Sequence, residues 1–164
     1  MKWNKIISDK IFQSTTSLVQ TISKWKESKD KIVFTNGCFD ILHLGHIDYL
    51  TKAADLGNRL IIGVNTDYSV SKIKGPSRPI IEESTRLAKL ASFAFVDAVI
   101  LFGEKTPIEL IKSLGPDVLV KGGDYSLQTI VGADFIKNSG GEVVVIPFLD
   151  GHSSTNYINN IKQS

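Results

Sequence analysis

Five short runs of β-branched and aliphatic residues punctuate the chain: Ile32 to Thr35, Arg59 to Val64, Ala98 to Phe102, Val118 to Val120 and Val143 to Ile146. Strands apolar on both faces, separated by segments long enough to cross back, specify a parallel sheet covered by helices on each side. The intervening helical patterns read as Ile47 to Leu56, Glu83 to Phe93, Pro107 to Leu114, Gly132 to Lys137 and Ser154 to Ile161. Thr106 reads as an N-cap before Pro107 at the first helical position, and Gly57 and Gly115 as helix exits. Residues 1–30 form a helical extension with Leu18, Ile22 and Trp25 at helical spacing, suited to packing on the sheet or on a second subunit. Residues 31–164 hold the sheet, and the whole chain of 164 residues, 42% hydrophobic, suffices for one substantial core but not for two ordinary domains.

Parallel strands deliver their carboxyl ends to one edge, where ligands collect. The first run leaves through Asn36-Gly37-Cys38-Phe39-Asp40 and reaches His43-Leu44-Gly45-His46 at the start of a helical pattern. A helix start offers free backbone N–H groups, and two imidazoles three residues apart add donors toward the same phosphate chain. Donors so placed suit in-line transfer at the α-phosphorus of a nucleotide, with His43 and His46 stabilising charge as it moves. Thr35, Asn36, Gly37, Phe39 and Gly45 are then expected around the nucleotide. A zinc site is the weaker use of the two histidines, because only His152 and Cys38 remain as further ligands, and no metal-ligand set is assigned.

Other segments converge on the same edge. Asn65-Thr66-Asp67 follows the second strand, where Asn65 and Asp67 suit an acceptor substrate and a helix cap or turn is the simpler use. The stretch from Ser71 to Pro79 is basic and twice broken by proline, as a mobile loop over a phosphate-bearing substrate would be, with Lys72, Lys74 and Arg78 as contacts. Lys121-Gly122-Gly123-Asp124 follows the fourth strand, placing an ammonium, backbone amides and a carboxylate at the edge. Ser153, Ser154 and Thr155 precede the last helical pattern, where hydroxyls and free amides suit an anion.

A formal net charge of +2 with scattered lysines argues against nucleic acid as a partner. One cysteine excludes an internal disulfide, and no apolar stretch approaches the roughly 20 residues that span a bilayer. No signal-peptide pattern opens the chain, so a cytoplasmic protein with no membrane partner is expected.

The stretch Phe34 to His46, with Val64-Asn65-Thr66-Asp67, Lys74-Gly75-Pro76-Ser77-Arg78-Pro79, Val120 to Tyr125, Ile130 to Asp134 and Ile146-Pro147-Phe148, resembles the cytidylyltransferase-like nucleotidyltransferases. Within them it is most similar to the adenylyltransferase domains of bacterial heptose biosynthesis. Ser154 stands where the family's late motif usually has a threonine, so a hydroxyl is kept. The resemblance implies a Rossmann-like α/β domain of the His-x-Gly-His type and transfer of AMP from ATP to D-glycero-D-manno-heptose 1-phosphate. Magnesium accompanies the ATP. Arg86 reaches a phosphate, and Asp40 orients the loop or the sugar phosphate. Many relatives carry a fused sugar kinase that 164 residues cannot contain, so a separate heptose kinase is expected, and a homo-oligomer is left open. The alternatives are a cytidylyltransferase acting on glycerol 3-phosphate or another alcohol phosphate, and a non-catalytic nucleotide-binding module. A class I aminoacyl-tRNA synthetase fragment would need a far longer chain.

Overall fold

The computed structural model describes residues 1–123, 126, 129–147 and 149. Along the chain these form α1 (Lys2–Ser8), β1 (Ile11–Phe12), α2 (Thr15–Glu27), β2 (Ile32–Gly37), α3 (Leu44–Ala54), β3 (Arg59–Asn65), α4 (Asp67–Lys74), α5 (Glu83–Ala91), β4 (Ala98–Phe102), α6 (Ile108–Leu114), β5 (Val118–Gly122), α7 (Ala133–Asn138) and β6 (Glu142–Ile146). Among the described residues the strands build one six-stranded sheet in the order β1-β4-β3-β2-β5-β6, every pairing parallel. The expected α/β architecture is the one found.

Alternation along the central strands explains the two covering layers. Ile32, Phe34, Ile61, Ala98, Ile100 and Leu119 face a layer built from Leu18 and Ile22 of α2, Leu110, Ile111 and Leu114 of α6, and Ile136 of α7. Their neighbours Val33, Leu60, Ile62, Val99, Val118 and Val120 face Tyr49, Leu50 and Ala53 of α3 and Leu87, Leu90 and Ala91 of α5. Leu18 and Ile22 thus pack on the sheet of their own chain.

Several local expectations need correction. β1 was not foreseen, because two residues are too few to show a period; Ile11 and Phe12 nonetheless pair with Val99 and Ile100. The basic stretch after Asp67 is not a loop up to Lys74 but the helix α4, whose N-cap Thr66 accepts a bond from the Ser69 N–H through its hydroxyl at 3.2 Å. Pro107, not Thr106, is the N-cap of α6, one residue later than expected, whereas Gly115 closes that helix in the left-handed conformation at φ 51°. α3 begins at Leu44 and its C-cap is Asp55, so the helix has ended before Gly57. The helical pattern from Ser154 to Ile161 lies outside the described residues. No helix among the described residues is long and apolar enough to cross a membrane.

The chain leaves β2 toward β3 on one side and returns to β5 on the other, making β2/β5 the point where strand order reverses. Open sheets of this kind place their crevice there, outside the carboxyl ends. Only Val33↔Val118 and Phe34↔Leu119 pair β2 with β5, so the strands part before Asn36 and Lys121.

Candidate active site

A cleft of about 250 Å³ occupies that crevice, lined by Asn36, Gly37, Cys38, Phe39, Asp40, His46, Tyr49, Lys74, Lys121 and Gly122. Its floor comes from the turn after β2. Phe39 adopts φ 48°, a left-handed conformation uncommon for a bulky residue, and its buried ring lies 5.5 Å from that of His46. A Cβ on Gly37 would sit 3.0 Å from Phe39 Cε2, so only glycine lets the ring fold back there without displacing it.

His43 is the N-cap of α3 and His46 lies in its first turn, so the two rings lie close, tilted by 36° with centroids 3.9 Å apart. The first turn of a helix also carries N–H groups without an intrahelical acceptor. Burial, with repulsion from His43 and Lys74, drives the pKa of His46 down to about 4, so at neutral pH this imidazole is an uncharged donor. Its Nδ1 is buried with no hydrogen-bond partner among the described residues.

From β5, Lys121 reaches across the open seam and donates through Nζ to Asn36 Oδ1 at 2.6 Å. Burial lowers its pKa to about 8, the penalty of keeping an ammonium in a cleft with little compensating charge. Lys74, at the end of α4, adds a second cation to the lining. The carboxylate of Asp40 does not cancel these charges, because it accepts from Arg78 Nε at 2.5 Å, Ile80 N–H at 2.8 Å and Ile81 N–H at 2.9 Å. Burial raises its pKa, and the bonds from Ile81, Arg78 and Ile80 outweigh that and hold it below the usual carboxylate value. The cleft is cationic and suits a polyanion.

Several expected contacts are placed elsewhere. Thr35 is fully buried beneath the cleft, its hydroxyl 2.5 Å from Tyr49 Oη, so it supports the floor rather than facing a nucleotide. Arg86 does not reach outward to a phosphate: its side chain is wholly buried and bonded to protein acceptors at Nε, Nη1 and Nη2. Asp67 is bound to Arg86, and buried Asn65 donates to Ser69 Oγ at 2.9 Å while accepting a weak bond from Cys38 Sγ at 3.8 Å. Lys72 is exposed, stands 5.2 Å from the centroid of the Tyr68 ring, and does not line the cleft. Arg78 is held by Asp40, and Gly45 is buried within α3. Asp124, Ser153, Ser154 and Thr155 lie outside the described residues.

Sequence reasoning passed over Tyr49, whose hydroxyl also donates to the Val120 carbonyl at 3.3 Å and so ties α3 to β5. Its place three residues after His46 on one helix was the available signal. It also passed over Glu83, whose carboxylate accepts from the Asp67 N–H at 2.7 Å; no local pattern announces that long-range cap.

A family profile described as cytidylyltransferase-like matches residues 34–159, spanning the cleft and all the strands from β3 onward. The chain belongs to the cytidylyltransferase-like family. Among its relatives, the bifunctional protein HldE of Citrifermentans bemidjiense is 46% identical over 157 residues, covering 96% of this chain and 32% of the relative. The HldE of Syntrophotalea carbinolica is 52% identical over 130 residues, covering 79% and 26%. This chain therefore spans about a third, or less, of the length of the curated relatives it matches. Among solved structures, a lipopolysaccharide core biosynthesis protein from Thermoplasma volcanium superposes with a TM-score of 0.57 at 31% identity, over 73% of this chain and 97% of that one. A pantoate-beta-alanine ligase from Francisella tularensis, complexed with beta-gamma ATP and beta-alanine, shares the fold, with a TM-score of 0.62 at 17% identity over 94% and 78%.

Proposed function

We propose that this chain transfers AMP from ATP to D-glycero-D-manno-heptose 1-phosphate, giving ADP-heptose and pyrophosphate. The observation that carries the reading is the close His43–His46 ring pair at the start of α3, whose His46 shares one cleft with the ammonium of Lys121. The HldE relatives and the sequence resemblance supply the nucleotide and the sugar. A phosphate oxygen of the acceptor attacks the α-phosphorus, the bond from that phosphorus to the bridging oxygen breaks, and pyrophosphate departs with the bridging oxygen. The acceptor is already an anion, so the protein needs no strong base, and rate comes from alignment and from donors waiting where charge grows.

In this reading the α3 N-terminus, His43, His46 and Lys121 hold the triphosphate, and Lys74 faces the acceptor phosphate. Ser154 or Thr155 contributes a hydroxyl. Magnesium needs few protein ligands when a substrate supplies phosphate oxygens. In this reading the cation arrives on the phosphate oxygens of the nucleotide. When bound there it neutralises charge on the leaving pyrophosphate. An ATP-dependent sugar activation of this kind belongs in the cytoplasm.

Pyrophosphate release from ATP and CTP, each paired with a panel of sugar 1-phosphates and with glycerol 3-phosphate, tests the proposal. ATP with the heptose phosphate is expected to lead the panel. Faster release with CTP and glycerol 3-phosphate makes the chain a cytidylyltransferase, and nucleotide binding without any release makes it a binding module.

A further inference from the structure

Arg86 is the largest fully buried side chain of the described residues, and burying a guanidinium without multiple partners is prohibitively costly. Its partners come from three separate segments. Nη1 donates to the Cys38 carbonyl at 2.5 Å, Nε to the Ile81 carbonyl at 3.0 Å, and Nη2 to Asp67 Oδ1 at 2.8 Å. Cys38 lies in the turn that forms the cleft floor, Ile81 ends the segment leading from α4 to α5, and Asp67 opens α4, whose last residue, Lys74, lines the cleft. Asp40 closes the same junction with the opposite polarity, since it sits on the floor turn and accepts from Arg78, Ile80 and Ile81. Glu83, three residues before Arg86 on α5, accepts the Asp67 N–H and fixes the start of α4 a second time.

We infer that Arg86 is a positioning residue that sets the acceptor side of the cleft, α4 with Lys74, against the triphosphate side formed by the floor turn and the histidines. This inference rests on the reaction proposed above only for what the two sides bind. The fork geometry is what matters, because a lysine at this place keeps the charge but cannot serve three acceptors in one plane. Misplacing the two sides costs alignment of the attacking oxygen and the α-phosphorus, which acts on turnover more than on nucleotide affinity.

Cys38 is the sole cysteine of the chain and reports on the floor turn without any substrate. Burial raises its thiol pKa, so alkylation of the native protein is slow and any loosening of the turn accelerates it. Arg86→Lys is expected to lower kcat by about 100-fold, leave KM for ATP within about threefold, and speed Cys38 alkylation by iodoacetamide about tenfold or more. Asp67→Asn, at a side chain that is 40% exposed and so tolerates the change, is expected to move kcat and labelling in the same directions by about threefold to tenfold. It carries the test alone if Arg86→Lys does not fold. Unchanged labelling with a rise in acceptor KM matching the loss of kcat/KM would show Arg86 to be a phosphate contact and overturn the inference. A wild-type protein inactive on heptose phosphate would defeat the proposed reaction, while the labelling rates would still decide the role of Arg86.

Discussion

Replacing Lys121 by methionine removes the ammonium and keeps most of the stem, and two features of the structure set the size of the result. The pKa falls from 10.5 to about 8 in the folded chain, and at about 1.4 kcal/mol per unit the charged form costs roughly 3 kcal/mol of stability at pH 7. Against this, the 2.6 Å bond to Asn36 disappears, and the amide oxygen left behind loses about 1 to 2 kcal/mol. The variant is therefore expected to be more stable than the parent by about 1 to 2 kcal/mol, raising Tm by roughly 2 to 8 °C for a chain of this size. Its kcat/KM for adenylyl transfer should fall by about 10-fold to 1,000-fold. The pH dependence is distinctive. The unfolded lysine keeps its proton to about pH 10.5 whereas the folded one loses it near 8, so the destabilisation is complete below pH 8, shrinks from 8 to 10.5 and is gone above. Thermal unfolding of both proteins at pH 7 and pH 9.5, with steady-state pyrophosphate release at pH 7.5, measures all of this. Normal kinetics with a lowered Tm at pH 7 would refute the reasoning and make Lys121 a structural residue.

The same depressed pKa predicts that binding a triphosphate near pH 8 draws about half a proton from solution onto Lys121, seen calorimetrically as a dependence of the binding heat on the buffer's ionisation enthalpy and absent in the methionine variant. His43→Ala and His46→Ala should each lower turnover by about 100-fold while far-UV circular dichroism stays native; unchanged turnover in both would remove the histidines from the chemistry. Since free His46 protonates only near pH 4 against an ordinary 6.5, its contribution to stability is lost as pH falls from 6.5 toward 4, and His46→Asn should flatten that part of the urea-unfolding profile. Asp40→Asn, which removes a buried carboxylate and leaves the half-buried Arg78 without its counter-charge, should cost about 3 kcal/mol in urea unfolding at pH 7, and a loss under 1 kcal/mol would mean the Asp40–Arg78 bond is not a structural clasp.

The strands from β2 to β6 were legible because each is a continuous apolar run, and the lysine at the end of β5 and the histidines opening α3 stand out beside them. What escaped sequence reading is long-range. β1 exists because β4 offers Ile11 and Phe12 an open edge, and α4 forms where prolines and lysines suggested a loop because Thr66 and Glu83 cap its start. Arg86, Asp67 and Thr35 carry the residue types of a binding site, yet their partners lie 48, 19 and 14 residues away and absorb them into the scaffold. Charge and hydroxyl chemistry can be read from a sequence. Whether a group faces solvent or another segment is decided only when the sheet closes.

The brevity of the β2·β5 ladder divides the molecule along a seam. On one flank stand β1, β4, β3 and β2 with α4; on the other, β5 and β6; and above two backbone-paired positions the flanks meet through side chains such as Lys121 and Asn36. Backbone ladders tolerate almost no drift in register, whereas a bridge between side chains can be rebuilt one residue at a time. A lineage keeping this sheet is thus free to exchange the β5–β6 flank while the turn after β2 stays as it is, on the flank that also carries α4. Chimeras joined between α6 and β5 would reproduce that divergence in the laboratory.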